Sequence, residues 1–182
     1  MRNQAVTLRV IVAGLGNELL SDDGVGIHAL RAMAGMFPPS VELVEAGTSV
    51  WALADMVSAG DVVIAIDAVE SGRPAGSIVL LSGADAQQAL RAAGAHGMGL
   101  MDVLMLGGAD TPRVIVVGVE PEYVGYGMQL SPAVARAVPH VIAAVERIAG
   151  AWQTDDAAAL PMQMKNRASM HAIAAHIRGL YQ

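Results

Sequence analysis

The chain has no cysteine. That absence excludes a disulfide, a cysteine nucleophile and any thiolate metal site supplied by this chain. It fits a reducing compartment such as the cytoplasm. Aromatic residues make up only 3 % of the 182 residues, and charged ones 15 %. The 11 Lys and Arg are outnumbered by 17 Asp and Glu, which gives a formal net charge of −6 and a pI near 5.2. Without a basic excess the chain does not read as a nucleic-acid binder, because duplex binding relies on Lys and Arg to neutralise phosphates. No apolar run reaches the roughly eighteen residues that a membrane-spanning helix needs. The longest candidate, Ala92 to Ala109, is interrupted by His96, Asp102 and five glycines. The polar start between Arg2 and Arg9 does not read as a signal peptide. A soluble, cytoplasmic protein is expected.

What the chain has in quantity is aliphatic bulk. Hydrophobic residues reach 54 %, enough to bury a core and to exclude disorder of the whole chain. Short apolar runs alternate with helical patterns, which predicts an α/β fold. Strands are expected at Leu8 to Ala13, Val41 to Glu45, Asp61 to Asp67, Ser77 to Leu81 and Arg113 to Val119. Val25, His28, Ala29, Ala32, Met33 and Met36 share one helical face, and Pro38-Pro39 stops that helix. Further helices are expected at Ser49 to Ser58, Ala84 to Ala93 and Leu100 to Leu106. Ser131-Pro132 reads as a cap and first helical residue. The helix that follows carries Pro139, which should kink or split it. Residues 1–150 read as one domain. From Gln153 to Arg167 the chain reads as a linker, and Ser169 to Tyr181 as a last helix, so that 151–182 forms a tail.

Several motifs are missing: a G-x-S-x-G elbow, H-E-x-x-H and G-x-x-x-x-G-K-[ST]. The turn at Gly14 is G-x-G-N, without the third glycine of the dinucleotide fingerprint, although Glu45 stands where a ribose-binding acid would be wanted. Acids recur at predicted strand ends and helix starts: Asp22, Asp23, Glu45 and Asp67. Each alone suits capping or turn chemistry; together at one edge of a sheet they suggest a site, since ligands of open α/β sheets bind beyond the carboxyl ends of the strands. Of the five histidines, His28 and His140 fall on helices and His171 and His176 in the tail. His96 instead sits in the bulk-free stretch Gly94-Ala95-His96-Gly97-Met98-Gly99, where backbone can approach a ligand. Two carboxylates and one imidazole make a divalent-metal donor set of borderline hardness.

Residues Gly14 to Gly26, GLGNELLSDDGVG, resemble the opening signature of the nickel–iron hydrogenase maturation proteases. The likeness continues in order with Asp67-Ala68-Val69, His96 followed by Gly99-Leu100, Gly118-Val119-Glu120-Pro121 and Gly127 to Pro132. It spans roughly Leu8 to Gly150. The resemblance implies a twisted, mostly parallel sheet of about five strands with helices on both faces. It also implies an endopeptidase that trims the C-terminus of the hydrogenase large-subunit precursor once nickel is in place. Asp23, Asp67 and His96 would be both the metal-binding and the catalytic residues. Where family members usually carry Asp-Gly-Gly-Thr, this chain has Glu45-Ala46-Gly47-Thr48, so no family role is carried over to Glu45.

With one histidine and two carboxylates, the set is expected to hold a free ion weakly. No permanently bound cofactor is therefore expected; nickel arrives on the substrate, and other divalent ions can occupy the same donors. The partner is the large-subunit precursor, and the enzyme is expected to be a monomer. Two chemistries stay open: a metal that polarises the carbonyl or activates water, or Asp23 and Asp67 sharing a proton. The alternatives are a non-catalytic nickel-docking protein and a nucleotide-binding domain.

Overall fold

A computed structural model of the chain describes residues 9–49, 51–58, 60–92 and 112–153. Among these residues the order is β1 (Val10–Leu15), a 3-10 turn (Asp22–Gly24), α1 (Val25–Ala32), β2 (Val41–Gly47), α2 (Trp51–Ala54), β3 (Val62–Ala68), β4 (Ile78–Ser82), α3 (Gly83–Ala92), β5 (Arg113–Val119) and α4 (Pro132–Gln153). The strands form one sheet in the order β2-β1-β3-β5-β4. β4 alone runs antiparallel to its neighbour. The expected α/β architecture, a mostly parallel sheet of five strands, is what the chain adopts.

The apolar strand runs follow from burial on both faces. Val10, Val12, Ile64, Ile66, Ile115 and Val117 point to one side and pack against α1 and α4. Ile11, Ala13, Val63, Ala65, Val114 and Val116 point to the other, where Leu53 of α2 and Ala86 of α3 cover them. Alternate residues of each strand thus feed two separate cores. The aliphatic composition suits this arrangement, because branched residues fill the narrow space between sheet and helix.

The boundaries shift for local reasons. β1 runs two residues beyond the expected Ala13: Gly14 stays in register with β2 and β3, and Leu15 pairs with Gly47 of β2 after a shift in register. The first helix ends at Ala32 rather than at Met36. Met33 bonds back to Ala29 and Leu30, and Gly35 takes φ +79° just beyond, a common helix terminator. The expected helix from Ser49 to Ser58 shortens to Trp51–Ala54. Its continuation is lost because the N–H of Ser58 donates to the Asp61 carboxylate at 2.8 Å instead of to a helical carbonyl.

Pro139 does not split its helix. α4 is continuous over 22 residues. Pro139 lies on the exposed side, as does Ala135, whose carbonyl the proline leaves free for water. The expected helix Leu100 to Leu106, the loop holding His96, and the tail from 154 onward lie outside the described residues. Among the described residues no helix is long and apolar enough to cross a membrane.

Candidate active site

Strand order fixes where a site can form. From β1 the chain crosses to β2 on one side; from β2 it crosses back over β1 to β3. The carboxyl ends of β1 and β3 therefore open a crevice from which their connections diverge, the usual ligand position of open α/β sheets. Asp67 is the penultimate residue of β3, and Asp23 lies in the 3-10 turn that follows β1.

Two glycines let this region close. Gly16 has φ +97°, and a Cβ there would stand 1.8 Å from the carbonyl oxygen of Asp23. Only glycine combines that dihedral with that approach. At Gly26 a Cβ would meet the carbonyl oxygens of Ile66 and Leu15 at 2.3 and 2.4 Å. The first turn of α1 thus sits directly on the ends of β1 and β3. Asn17 completes the turn: its N–H donates to Asp23 Oδ2 at 2.7 Å, and its Oδ1 accepts from Leu19 N–H at 3.0 Å.

Asp67 is 2 % exposed. Among the described residues its carboxyl accepts one hydrogen bond, from the Ala68 N–H at 2.9 Å. Burial, with the negative charge of Asp23 added to it, pushes the Asp67 carboxyl up to about 7. The single N–H of Ala68 offsets this only in part. Two of the three residues expected in the site are therefore in electrostatic contact at the crevice. His96 lies outside the described residues.

The other two acids do different work. Asp22 is fully buried, and both of its oxygens are occupied by backbone donors. Its Oδ2 accepts from the N–H groups of Glu122 and Tyr123 at 2.9 and 3.0 Å, and its Oδ1 from that of Ser131 at 2.7 Å. Burial raises its carboxyl, yet these bonds outweigh burial and hold it below the ordinary value. Asp22 is a clamp between the turn after β1 and the loop before α4. Glu45 is exposed and pairs with Arg31, whose Nε and Nη2 donate to its two oxygens at 2.9 Å each. Arg31 also reaches Glu18 at 2.6 Å. So the four acids do not converge as one set: Asp23 and Asp67 do, while Asp22 and Glu45 are spoken for.

Sequence reasoning gave Glu120 no role. Its buried carboxylate accepts the N–H groups of Ser71, Gly72 and Arg73 at 2.7, 3.3 and 3.2 Å and the Ser71 hydroxyl as well. These bonds lower its carboxyl against the opposing pull of burial. It fixes the connection that leaves β3 just after Asp67. An acid at the end of a buried strand, ahead of Pro121, was the available signal. Arg31 gave none.

The nucleotide alternative meets a steric and an electrostatic obstacle. The Gly14-to-Asn17 turn is filled by the backbone of Asp23. The helix start that would receive a phosphate instead carries Asp22 and Asp23.

A hydrogenase maturation protease family model matches residues 27–148. HupD of Rhodobacter capsulatus, a hydrogenase expression/formation protein, is 32 % identical over 152 residues, covering 79 % of this chain and 72 % of that protein. The hydrogenase maturating endopeptidase HybD from E. coli superimposes with a TM-score of 0.66 at 26 % identity, over 78 % of this chain and 91 % of that one. HybD from Thermococcus kodakarensis, a NiFe hydrogenase maturation protease, gives a TM-score of 0.66 at 30 % identity, over 78 % and 99 % of the two chains. The chain belongs to the hydrogenase maturation protease family.

Proposed function

We infer that the protein is an endopeptidase that removes a C-terminal peptide from the nickel-loaded precursor of a nickel–iron hydrogenase large subunit. It acts as a monomer in the cytoplasm, a compartment that suits both a cysteine-free chain and a thiolate-held nickel substrate. The observation that carries this reading is the Asp67 carboxyl, buried and under-compensated, beside Asp23 at the crevice between β1 and β3.

The donor chemistry supports a docking role for the metal. Two carboxylates under-coordinate a divalent ion, and among the described residues no group of three or more ligating side chains occurs. His96 supplies a third donor in this reading. Such a set holds a free ion weakly but completes the shell of nickel already bound by substrate thiolates. An empty precursor offers no such bridge. A thousandfold preference for the loaded precursor would require about 4 kcal/mol of differential binding.

Asp67 contributes its proton balance. Near neutral pH it is divided between acid and carboxylate. Docking a cation favours the carboxylate and releases a proton. Without ionisation, the same group can hold a proton for the scissile carbonyl or the leaving amine, with Asp23 as the carboxylate that orients water. Both routes place the reacting peptide bond between the same two side chains.

The test is to incubate the protein with nickel-loaded and nickel-free precursor and weigh the products. Loss of a C-terminal peptide from the loaded precursor alone is expected. Asp67→Asn and His96→Ala should abolish trimming and leave the fold intact. Normal trimming by either variant would overturn the assignment of the site.

A further inference from the structure

Exposed apolar side chains are unevenly distributed. Among the described residues seven large hydrophobics are exposed, and five of them are Leu19, Tyr123, Val124, Tyr126 and Met128. Tyr126 is 94 % exposed. The whole chain has only 3 tyrosines, and two stand on this one loop. Such concentration on a chain so poor in aromatics marks an interaction surface rather than the scattered apolar exposure of an ordinary exterior.

The two segments are joined and held still. Ser21 N–H donates to the Gly127 carbonyl at 2.7 Å, and Gly127 N–H to the Leu19 carbonyl at 3.0 Å. Isolated bridges pair Leu20 with Gly127 and Ser21 with Val124. Below them the Asp22 carboxylate takes the three N–H groups of Glu122, Tyr123 and Ser131. Ser21 itself sits at φ 54°, a costly position for a residue with a side chain, and this network holds it there. A surface fixed this way has already lost the loop entropy that binding would otherwise cost.

Its place and charge identify the occupant. Leu19 lies four residues before Asp23 in the sequence, and the lip adjoins the 3-10 turn that carries Asp23. A chain presented to the carboxyl pair therefore lies within reach of this lip. Neither 17–23 nor 119–131 contains Lys or Arg, whereas both contain acids. The cation that reaches this stretch, Arg31, is already paired with Glu18 and Glu45, which leaves an anionic partner, whether phospholipid headgroup or nucleic acid, little to bind.

We propose that Leu19 and the Tyr123-to-Met128 loop form a preorganised lip that docks an apolar, neutral-to-basic stretch of the substrate protein flanking the scissile bond. The proposal rests on the peptidase reading above and names the surface by which that substrate is held.

The experiment compares the wild type with the double substitution Tyr126→Ser, Met128→Ser, both at exposed positions, on the nickel-loaded precursor. The expected result is a KM raised about tenfold or more with kcat within about twofold, because the lip binds but does not touch the reacting atoms. An unchanged KM overturns the proposal. In parallel, a photo-crosslinking residue placed at position 126 should trap the precursor, and the same residue at exposed position 51 should not. Should the wild type cleave nothing, the peptidase reading falls while the crosslink still decides the lip. An adduct from 126 supports it, and no adduct, or equal adducts from both positions, overturns it. Co-sedimentation with anionic phosphatidylserine vesicles that the double substitution abolishes would also overturn it, in favour of a membrane.

Discussion

Asp22 and Asp67 are both almost wholly removed from water, yet their surroundings push them in opposite directions. Asp22 is 0 % exposed and receives three backbone N–H groups from residues 100, 101 and 109 positions away in the sequence. Its carboxyl is held below the ordinary value. Asp67 is 2 % exposed and, among the described residues, receives one N–H from its own neighbour while facing a like charge. Its carboxyl rises to about 7. Burial is common to both, so burial does not separate a structural acid from a reactive one. Hydrogen-bond supply does. A carboxylate whose lone pairs are filled by fixed donors has no capacity left for a ligand, whereas one left short of donors keeps its capacity for a proton or a cation.

The contrast breaks most visibly at Asp67. Asp67→Asn should lower precursor trimming by about 10²–10⁴-fold, the range expected when a proton-transferring or metal-docking group is lost. The same substitution should stabilise the free protein at neutral pH. The folded-state value lies above the unfolded one, so the unfolded chain loses its proton first as pH rises. Wild-type stability therefore falls between about pH 4 and about pH 7 and is flat above. The full difference corresponds to about 4 kcal/mol at most, since each unit is worth about 1.4. Melting curves of the two proteins should coincide near the acid end of that window and separate as pH rises through it. Parallel curves across the window would show that Asp67 is not raised.

Asp22 should behave in the reverse way. Asp22→Ala removes the acceptor of three part-buried N–H groups and should cost about 2–4 kcal/mol of stability by denaturant unfolding. Its carboxyl is lowered on folding, so its contribution is complete above the ordinary carboxylate value and is lost as pH falls through the folded one. The destabilisation by Asp22→Ala should therefore shrink in acid, whereas the gain from Asp67→Asn shrinks as pH falls from about 7 toward 4. Equal stability of Asp22→Ala and wild type at neutral pH would refute the clamp.

Much of this arrangement is legible in the residues themselves. Strands such as VVIAID stand out because burial on both faces makes them continuously apolar, and the parallel order follows from their alternation with helices. The likeness of the Gly14-to-Gly26 stretch to a family signature marked Asp23, and a buried strand ending in acid marked Asp67. What stayed hidden was contact across long separations. The donors to Asp22 lie 100, 101 and 109 residues away, so nothing local distinguishes it from Asp23 beside it. Arg31 gave no sign that it would turn toward Glu45, and Asp61 none that it would take the N–H of Ser58 from a helix. Periodicity likewise overran α1, because Met36 keeps the helical spacing although Gly35 has already turned the chain.

A finer test separates the two sources of the Asp67 shift. Burial is the larger and the charge of Asp23 the smaller. Asp23→Asn removes only the second. The Asp67 midpoint, followed by carboxyl carbon NMR in metal-free protein, should move down from about 7 but stay well above the ordinary value. A midpoint that does not move would mean that the two carboxyls act independently. A midpoint that collapses to the ordinary value would mean that burial contributes little.

The smallest effect is expected at Glu45. It lies two residues before the end of β2, near the same carboxyl edge of the sheet and in register with Gly14. Position alone would enrol it in the site. Its surroundings resemble those of Asp22 rather than those of Asp67: Arg31 fills both of its oxygens and holds the carboxyl low. The pair is exposed, however, and exposed pairs contribute little to stability. Glu45→Gln should accordingly leave the melting temperature within the scatter of replicate measurements and precursor trimming within about twofold, because a filled acid neither docks a cation nor carries a proton. A loss of trimming comparable to that of Asp67→Asn would show that Arg31 releases Glu45 when the precursor binds, and that hydrogen-bond supply in the free protein does not identify the reactive acids.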